Sequence, residues 1–387
     1  MEYVEYRCKS MLKRKDHVDS WFWTENGCSP YRGCEHQCVY CDGRNSYYGV
    51  KDFSNRVYVK VNSEEILKKE LEKRFPNQKN LFEFGYETRK PTLYIGSGTS
   101  DAFQQAEAKY RLTQRLLKIF LKYGVPLHIM TKSALVLRDL ELLKELSDKS
   151  WLTISFSFST SDAKLSRKFE PKTSPPAARF RAIEKLTRKK IRCGVTYIPV
   201  LPLLSDSREN LEAVISKAKD SGASYILLGT MTLKEEDREL MFRVLKKDFP
   251  EVFPMYKTLY KKGWSPPSEY VNPLMQTSIE LCREYKIPYW IERYIPKCRF
   301  KKNLEVSTML LQLSYFSQLE GKDSYSFKSY EKAGNTIENL KIDVEEFYKR
   351  GRLREIPYVG IGIEKLISEF LEKGKVSRLE GYKEGFE

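Results

Sequence analysis

Three closely spaced cysteines are the residues of this sequence best suited to metal chemistry. They lie in the segment NGCSPYRGCEHQCVYCDGR, where Cys34, Cys38 and Cys41 follow a C-x3-C-x2-C spacing. Thiolates bind zinc and iron–sulfur clusters. A structural zinc site requires four ligands, whereas three thiolates leave one iron of a four-iron cubane open to a further ligand. The sequence therefore predicts a [4Fe-4S] cluster, and the alternative is a zinc site completed by Cys28 or His36.

Polar side chains recur at the ends of short apolar segments further along the chain. Ser100 and Asp101 follow one such segment, Lys132 follows the next, and Ser157 and Ser159 lie at the end of a third. Barrel enzymes build their active sites from side chains at the carboxyl ends of parallel strands. These five residues are therefore candidates for a binding site at that face.

The apolar segments and the helices between them predict the architecture that carries these residues. The predicted strands are Thr92–Gly96, Leu127–Thr131, Leu152–Phe158, Ile191–Ile198 and Ser224–Gly229, and amphipathic stretches separate them at 106–123, 134–147, 177–190 and 208–220. Regular alternation of strand and helix indicates a parallel α/β sheet. No G-x-G-x-x-G follows any of these strands, and a sixth strand fits before the cysteine segment. We therefore predict a partial (β/α)6 TIM-type barrel.

Several motifs in register resemble the radical S-adenosylmethionine (SAM) superfamily, and within it the spore-photoproduct-lyase-like branch, also called DNA repair photolyase-like. The segments are SPYRGCEHQCVYC at 29–41, GSGTSDAFQQAE at 96–107, IMTKSALVLRDLELL at 129–143, SFSFSTSDAKLSRKFEPKTSPPAARFRAIEKL at 155–186 and VTYIPVLPLLSD at 195–206. The resemblance covers roughly residues 20–300. It implies that the open iron binds SAM, and that an electron from the cluster cleaves SAM to a 5′-deoxyadenosyl radical that abstracts a substrate hydrogen.

The resemblance also assigns roles to individual residues. It places Ser100, Lys132 and Ser159 in the SAM pocket, with Asp101 and Ser157 at the same strand ends, and Tyr40 beside the cofactor. The Lys132 ammonium can pair with the methionine carboxylate. Glu170 and Arg179 are expected to form a structural ion pair without a chemical role. A low-potential electron donor such as ferredoxin or flavodoxin is implied as a partner.

Two positions depart from the lyase. Where the lyase has a cysteine that returns a hydrogen atom to the product, immediately before Thr-Ser-Asp, this chain has Gly98. Where the lyase has a tyrosine after the last cluster cysteine, this chain has Asp42. We therefore expect radical chemistry on a different or modified substrate.

The C-terminal segment LREIPYVGIGIEKLI, at 353–367, has the form of a helix-hairpin-helix. Gly360 and Gly362 allow close backbone approach, and amides at the start of the second helix can hold a phosphate. Residues 304–387 resemble the N-terminal helix-hairpin-helix domain of X-family DNA polymerases, which implies binding to nucleic acid, with DNA favoured over RNA. Tyr358 replaces the first hairpin glycine, and Leu366 replaces the deoxyribose-phosphate lyase lysine, so lyase activity is not expected.

Charge is distributed unevenly between the two parts of the chain. The 387 residues carry a formal net charge of +16. Residues 304–387 contain 13 Lys+Arg and 15 Asp+Glu, a net of −2, so the other 303 residues carry +18. A strongly basic surface is typical of nucleic-acid binding, and a lysine-rich solvated surface is the alternative. Any electrostatic footprint for nucleic acid is therefore expected mainly on the barrel.

The chain is long enough for more than one domain. We expect an N-terminal arm at 1–19, a radical SAM barrel at 20–252, a helical extension at 253–303 and an all-α helix-hairpin-helix domain at 304–387. No stretch approaches the roughly 18–20 apolar residues needed to cross a bilayer, and no apolar run follows the basic N-terminus, so a cytoplasmic location without membrane contact is expected.

Two other functions remain open from the sequence. The first is radical chemistry on a protein or a small molecule, with the hairpin as a docking module. The second is a non-catalytic, zinc-stabilised protein that binds nucleic acid.

Overall fold

The computed structural model describes residues 1–75, 90–96, 98–321 and 324–386, so motif positions 97, 322 and 323 lie outside it. The described residues divide into two compact units. The first combines 1–15, 25–75 and 91–290, and the second includes 16–24 and 291–386. This division into two units does not test the limits of the four predicted segments, which stay predictions.

Ten strands are formed by the described residues. They are β1 (Glu2–Tyr6), β2 (Leu12–Asp19), β3 (Thr24–Cys28), β4 (Tyr31–Arg32), β5 (Arg56–Lys60), β6 (Leu93–Ile95), β7 (Leu127–Thr131), β8 (Leu152–Phe158), β9 (Arg192–Val200) and β10 (Ile226–Thr230). The main sheet has the order β10-β9-β8-β7-β6-β3-β2, and a small sheet has the order β1-β5-β4. All neighbouring pairs from β3 to β10 are parallel. The six main-sheet strands β3, β6, β7, β8, β9 and β10 are those of the predicted partial barrel.

Fifteen α-helices complete the described chain. They are α1 (Ser63–Arg74), α2 (Gln105–Tyr110), α3 (Leu112–Tyr123), α4 (Leu140–Lys149), α5 (Ala163–Phe169), α6 (Pro176–Arg188), α7 (Arg208–Asp220), α8 (Glu236–Asp248), α9 (Phe253–Leu259), α10 (Ser268–Glu284), α11 (Lys301–Leu319), α12 (Ser324–Glu338), α13 (Val344–Lys349), α14 (Ile361–Lys373) and α15 (Ser377–Lys383). None of the helices that the structure describes is long and apolar enough to cross a membrane.

The sheet is covered on both faces, as parallel sheets require. Every residue of β8 is buried, including the hydroxyl side chains that alternate with Ile154, Phe156 and Phe158. One close contact in the barrel depends on a missing side chain. A Cβ at Gly194 would lie 2.2 Å from the Tyr225 ring, so glycine on β9 makes room for that ring. The Tyr225 hydroxyl then reaches the β8 hydroxyls of Ser155 (2.8 Å) and Thr153 (2.9 Å).

The sequence-based elements of the barrel are confirmed. Predicted and observed strands agree within two residues at every end, and the sixth strand lies before the cysteine segment as β3. The stretch predicted as one helix at 106–123 is two helices, because Arg111 adopts a left-handed conformation (φ 52°) between α2 and α3. The stretch at 134–147 begins with a 3-10 turn at Ala134–Asp139 before α4 starts.

The second unit is helical, and α11 is its central element. Most residues of α11 are buried, on all sides of the helix. Gly334 of α12 lets the two helices approach closely, since a Cβ there would lie 3.1 Å from Leu311 Cγ. A buried ion pair between Arg293 and Glu338 (2.6 Å) also lies in this unit.

The predicted hairpin lies between α13 and α14. Gly351 ends the turn after α13 with φ 64°, and Gly360 caps the N-terminus of α14. Tyr358 has φ 68°, a conformation that favours glycine, although it carries a side chain that is more than half exposed. The backbone therefore keeps the shape of a glycine hairpin at this tyrosine.

Candidate functional site

The cysteine loop runs from β4 to a 3-10 turn at Asp42–Arg44. Cys34 and Cys38 are buried and Cys41 is partly exposed. The Cys41 amide donates to the Cys38 carbonyl at 3.3 Å, which turns the chain between these two thiols. Burial raises the pKa of all three thiols, and the Lys132 ammonium acts in the opposite direction on Cys38. Binding of a metal cluster must therefore displace protons from these thiols.

Contacts on one side fix the start of the loop. Gly33 has φ 83°, and a Cβ there would lie 2.5 Å from the Arg56 carbonyl oxygen, so only glycine fits. The Gln104 amide group accepts from the Glu35 amide (2.8 Å) and donates to the Gly33 carbonyl (3.1 Å). The loop is thereby held to the segment that leads into α2.

Asp101 connects this loop to the end of β7. Its carboxylate accepts from the Thr131 hydroxyl (2.8 Å) and from the Lys132 amide (2.7 Å), and His36 Nε2 lies 3.1 Å from it. Burial opposes ionisation of Asp101, but His36 and these hydrogen bonds outweigh it and hold the pKa below its ordinary value. Both oxygens of Asp101 are therefore engaged within the protein.

A second buried carboxylate, that of Glu170, lies after α5. Lys132 Nζ donates to Glu170 Oε1 at 3.0 Å and to Ser157 Oγ at 2.7 Å. Tyr40, between two of the cysteines, donates its hydroxyl hydrogen to the same Glu170 oxygen. Arg179 of α6 donates to the other oxygen at 2.5 Å. One carboxylate thus joins the cysteine loop, β7 and α6.

The electrostatics of this network follow from its burial. The Glu170 side chain has no exposed surface, and burial alone would favour its neutral form. Arg179 and Lys132, together with the Tyr40 hydrogen bond, outweigh burial and hold the Glu170 pKa well below its ordinary value of 4.5. Glu170 is therefore ionised at neutral pH, and the two cations leave the network with an excess positive charge.

The predicted serines have different surroundings. Ser157 accepts from Lys132 and donates to the Ile198 carbonyl at 3.1 Å. Ser159 Oγ is buried without a hydrogen bond of normal geometry, and it lies beside the Tyr40 hydroxyl. Ser100 contacts the Ser29 hydroxyl (2.7 Å) and the Tyr31 carbonyl (3.1 Å) at the base of the cysteine loop.

The structure therefore brings most of the predicted residues together. Lys132, Ser157, Ser159 and Tyr40 surround Glu170, whereas Ser100 and Asp101 support the loop from its other side. The expected ion pair between Glu170 and Arg179 is present, but its extension to Tyr40 and Lys132 was missed. One sequence signal could have indicated it, because Glu170 is the only acidic residue between Asp162 and Glu184 in a strongly basic segment.

Comparison with known proteins agrees with this geometry. The model of the family described as "Radical SAM superfamily" matches residues 28–218, and that of a helix-hairpin-helix domain matches residues 301–376. The chain belongs to the radical SAM superfamily. An uncharacterized protein of Mycobacterium tuberculosis is 30% identical over 290 residues, which cover 73% of this chain and 81% of that protein. One from Methanocaldococcus jannaschii is 27% identical over 236 residues, covering 60% and 80%.

Solved structures of spore photoproduct lyase share the fold. The lyase complexed with dinucleoside spore photoproduct superposes with a TM-score of 0.52 at 16% identity, covering 73% of this chain and 79% of that chain. A lyase variant with bound AdoMet and the dinucleoside superposes with a TM-score of 0.51 at 17% identity, covering 73% and 78%. The family match makes the chain a radical SAM enzyme, and its partial barrel shares the fold of that lyase.

The family implies a [4Fe-4S] cluster and SAM, and the residues present fit both. Three thiols lie on one loop, and a cubane places each thiolate on a different iron. Among the described residues, no three His, Cys, Asp or Glu side chains are grouped closely enough to hold a single metal ion. The buried Ser159 hydroxyl, which has no hydrogen bond of normal geometry, and the excess positive charge at Lys132 suit a polar, carboxylate-bearing ligand.

Cys28 provides a test of the ligand set. It lies at the end of β3, and the groups that act on its thiol after burial itself are Lys60, Glu70 and Cys8, not the loop cysteines. We expect Cys28→Ala to keep the full iron and sulfide content after anaerobic reconstitution, because Cys28 belongs to β3 and not to the C-x3-C-x2-C loop. Alanine at Cys34, Cys38 or Cys41 should each lower it strongly. Equal loss of iron in Cys28→Ala would show that a fourth thiolate closes the cluster.

Glu170 provides a test of the buried network. Removing its charge leaves Arg179 and Lys132 without a counter-ion, which costs about 3–5 kcal/mol for a buried pair. We expect Glu170→Gln to lower the free energy of unfolding by that amount at pH 7, measured by urea titration. Because the folded-state pKa is depressed, this contribution is present above pH 4.5 and is lost as the pH falls below it, so the two proteins should converge in acid.

The matched control is Glu141→Gln. Glu141 forms an ion pair with Lys189 at 3.0 Å, but its side chain is 74% exposed, so its loss should have a small effect. Equal destabilisation by the two substitutions would contradict the role assigned to Glu170.

Proposed function

We propose that this radical SAM enzyme acts on nucleic acid, with DNA as the preferred substrate, in a repair or modification reaction. Cys34, Cys38 and Cys41 hold the cluster, which when bound supplies the electron that cleaves SAM to a 5′-deoxyadenosyl radical. A low-potential donor such as ferredoxin or flavodoxin delivers that electron. The chain's own residues bind the cofactor, orient it and present the substrate.

Lys132 is the residue we assign to the methionine carboxylate of SAM. An ammonium group has three N–H donors, and Ser157 and Glu170 take two of them. The third is left for a carboxylate oxygen, and a bound carboxylate would balance the excess positive charge of the network. Tyr40 and Ser159 form the adjacent wall, while Asp101 and Ser100 keep Lys132 and the cysteine loop in position.

The observation that carries the nucleic-acid assignment is the open space at the hairpin glycines. A Cβ at Gly360 or at Gly362 would meet nothing within 4 Å, and neither residue has a positive φ. The protein's own packing therefore does not require glycine at these positions. Glycine there lets a phosphate approach the amides at the N-terminus of α14. The net charge of +18 on residues 1–303 supports the same class of partner.

We do not expect the product radical to recover its hydrogen atom from a cysteine, as it does in the lyase. The position of the lyase cysteine is Gly98, and the Tyr48 hydroxyl lies 3.4 Å from where a Cβ would be at that position. Cys193, Cys282 and Cys298 are all buried, so none of them presents an open thiol in place of that cysteine. We therefore assign a related reaction on a different lesion or a modified nucleotide.

Anaerobic turnover tests the proposal. The reconstituted, reduced enzyme should form 5′-deoxyadenosine from SAM, and DNA carrying the correct lesion or target should increase that rate. Deuterium in the target should appear in the 5′-deoxyadenosine, measured by mass spectrometry. A full cluster that forms no 5′-deoxyadenosine would contradict radical SAM chemistry. If only a peptide or a small molecule stimulates turnover, that compound and not nucleic acid is the class of substrate.

The hairpin glycines test nucleic-acid binding separately. We expect Gly360→Ala and Gly362→Ala to fold normally, because the added methyl group meets no protein atom. Each should weaken binding to duplex DNA at 50 mM salt, measured by fluorescence anisotropy, because it obstructs the phosphate contact. Wild-type binding should fall steeply between 50 and 200 mM salt.

The control is Gly381→Ala, which also meets no atom within 4 Å but lies on α15, outside the hairpin. Unchanged DNA affinity in both hairpin variants would show that the hairpin does not bind phosphate.

A further inference from the structure

Two exposed aromatic rings lie on either side of one lysine in the first unit. Tyr47 is 56% exposed and Trp264 is 59% exposed, although most large apolar side chains of the described residues are buried. Lys234 Nζ lies 4.7 Å from the centroid of the Tyr47 ring and 5.3 Å from that of the Trp264 ring. We call these three residues the aromatic patch. The Tyr47 ring also packs against Tyr48, with ring centroids 4.4 Å apart, so the patch combines a small aromatic stack with an exposed indole beside a cation. Exposed aromatic rings of this kind can stack on a planar ligand.

Hydrogen bonds hold the patch in place. Lys234 Nζ donates to the Tyr47 hydroxyl at 2.6 Å, and the Tyr47 hydroxyl donates to Asp42 at 2.7 Å. The Trp264 carbonyl accepts from the Leu233 amide at 2.7 Å, next to Lys234. The Tyr47 ring and the backbone of Trp264 are therefore positioned before any ligand arrives, which lowers the entropy cost of binding.

The patch is continuous with the cysteine loop. Asp42 directly follows Cys41, and it also accepts from the Tyr48 hydroxyl at 2.6 Å. Tyr48 in turn lies against Gly98, and Gly43 lies so close to the Gly98 carbonyl oxygen that a Cβ would come within 2.5 Å of it. The exposed rings thus lie next to the two segments, 41–48 and 98–101, that border the candidate SAM site.

We propose that Tyr47 and Trp264 stack an unpaired nucleobase next to the reacting nucleotide, while Lys234 pairs with a phosphate of the same strand. This inference rests on the proposed action on nucleic acid, and it specifies which side chains hold the nucleic-acid strand. A base inside a duplex cannot reach a barrel mouth, so the strand must open locally and expose neighbouring bases. Aromatic side chains stack on every base, because every base has a π face.

The net charge of this part of the chain, and not that of the immediate neighbours Glu235, Glu236 and Asp237, favours this occupant over a peptide of ordinary composition. Residues 1–303 carry +18, so an anionic backbone is attracted to this part of the chain. Asp42 is already engaged by Tyr47, Tyr48 and Lys234, so it does not oppose an incoming phosphate as a free carboxylate would.

The test uses the full-length, reconstituted protein and a single-stranded oligonucleotide that contains 2-aminopurine. Stacking quenches 2-aminopurine fluorescence, so the wild-type protein should quench the probe on binding. Trp264→Ala and Tyr47→Ala should each weaken binding by about 5- to 140-fold, the range expected for one stacked base, and should reduce the quenching. Trp264→Phe should recover most of the affinity, because it restores a stacking ring.

Controls separate this inference from the function on which it rests. Met255→Ala removes a 46% exposed apolar side chain elsewhere in the same unit and should leave the affinity unchanged. If the wild type binds the oligonucleotide with steep salt dependence but Trp264→Ala and Tyr47→Ala bind it equally well with full quenching, the stacking site is wrong and the nucleic-acid function stands. If the wild type binds no oligonucleotide, or an acidic peptide displaces it from the patch with equal affinity, the nucleic-acid occupant is wrong.

Discussion

The arrangement of the candidate site depends on one buried carboxylate shared by three donors. Glu170 accepts hydrogen bonds from Tyr40 of the cysteine loop, from Lys132 after β7 and from Arg179 of α6. An ionised carboxylate is costly to bury unless it is paired, and here each oxygen has a cationic partner. These elements are far apart in sequence, so the ion pairing that makes burial tolerable also fixes their relative positions. The excess positive charge suits a carboxylate group placed beside Lys132.

Asp101 is a second buried carboxylate that, like Glu170, joins the cysteine loop to the end of β7. It engages Thr131, the Lys132 amide and His36, so Lys132 is held through its backbone by one carboxylate and through its side chain by the other. The cysteine loop is held between these two groups. The Val39 amide also donates to the Phe169 carbonyl at 2.8 Å, one residue before Glu170. The loop therefore takes its shape from its neighbours, and no regular secondary structure of its own is needed.

The sequence was sufficient to predict the barrel and membership of the radical SAM superfamily. Strands such as Leu127–Thr131 and Leu152–Phe158 were predicted at their observed bounds, because each is a short apolar segment between clear helices. The interruption of the helix at Arg111 was not predicted, because nothing in the sequence marks an arginine that adopts a left-handed backbone conformation. The ion pair between Glu170 and Arg179 was predicted, but its extension to Tyr40 and Lys132 was missed, because contacts between residues this far apart in sequence form only when the chain folds. The hydrophobic pattern of a sequence predicts which residues are buried. It does not predict which distant side chains will share one ion-pairing partner in the folded chain.

The two parts of the chain combine a reactive centre with a module that suits phosphate binding. The radical SAM barrel provides buried charge and a preformed thiol loop, and in the helix-hairpin-helix the space beside Gly360 and Gly362 is open. Tyr358 keeps a glycine-like backbone at the hairpin and adds an exposed ring, with Lys332 lying 5.5 Å from its centroid. Exposed aromatic rings beside lysines therefore occur in both units, at Tyr47 with Trp264 and at Tyr358.

The central claim is that three thiolates leave one iron open for SAM beside Lys132. Electron paramagnetic resonance of the reduced, reconstituted protein tests it most directly. Addition of SAM should shift the g values of the reduced cluster, because the ligand binds to iron, and Lys132→Met should require a higher SAM concentration for the same shift. An intact cluster whose spectrum does not change at saturating SAM would contradict the account.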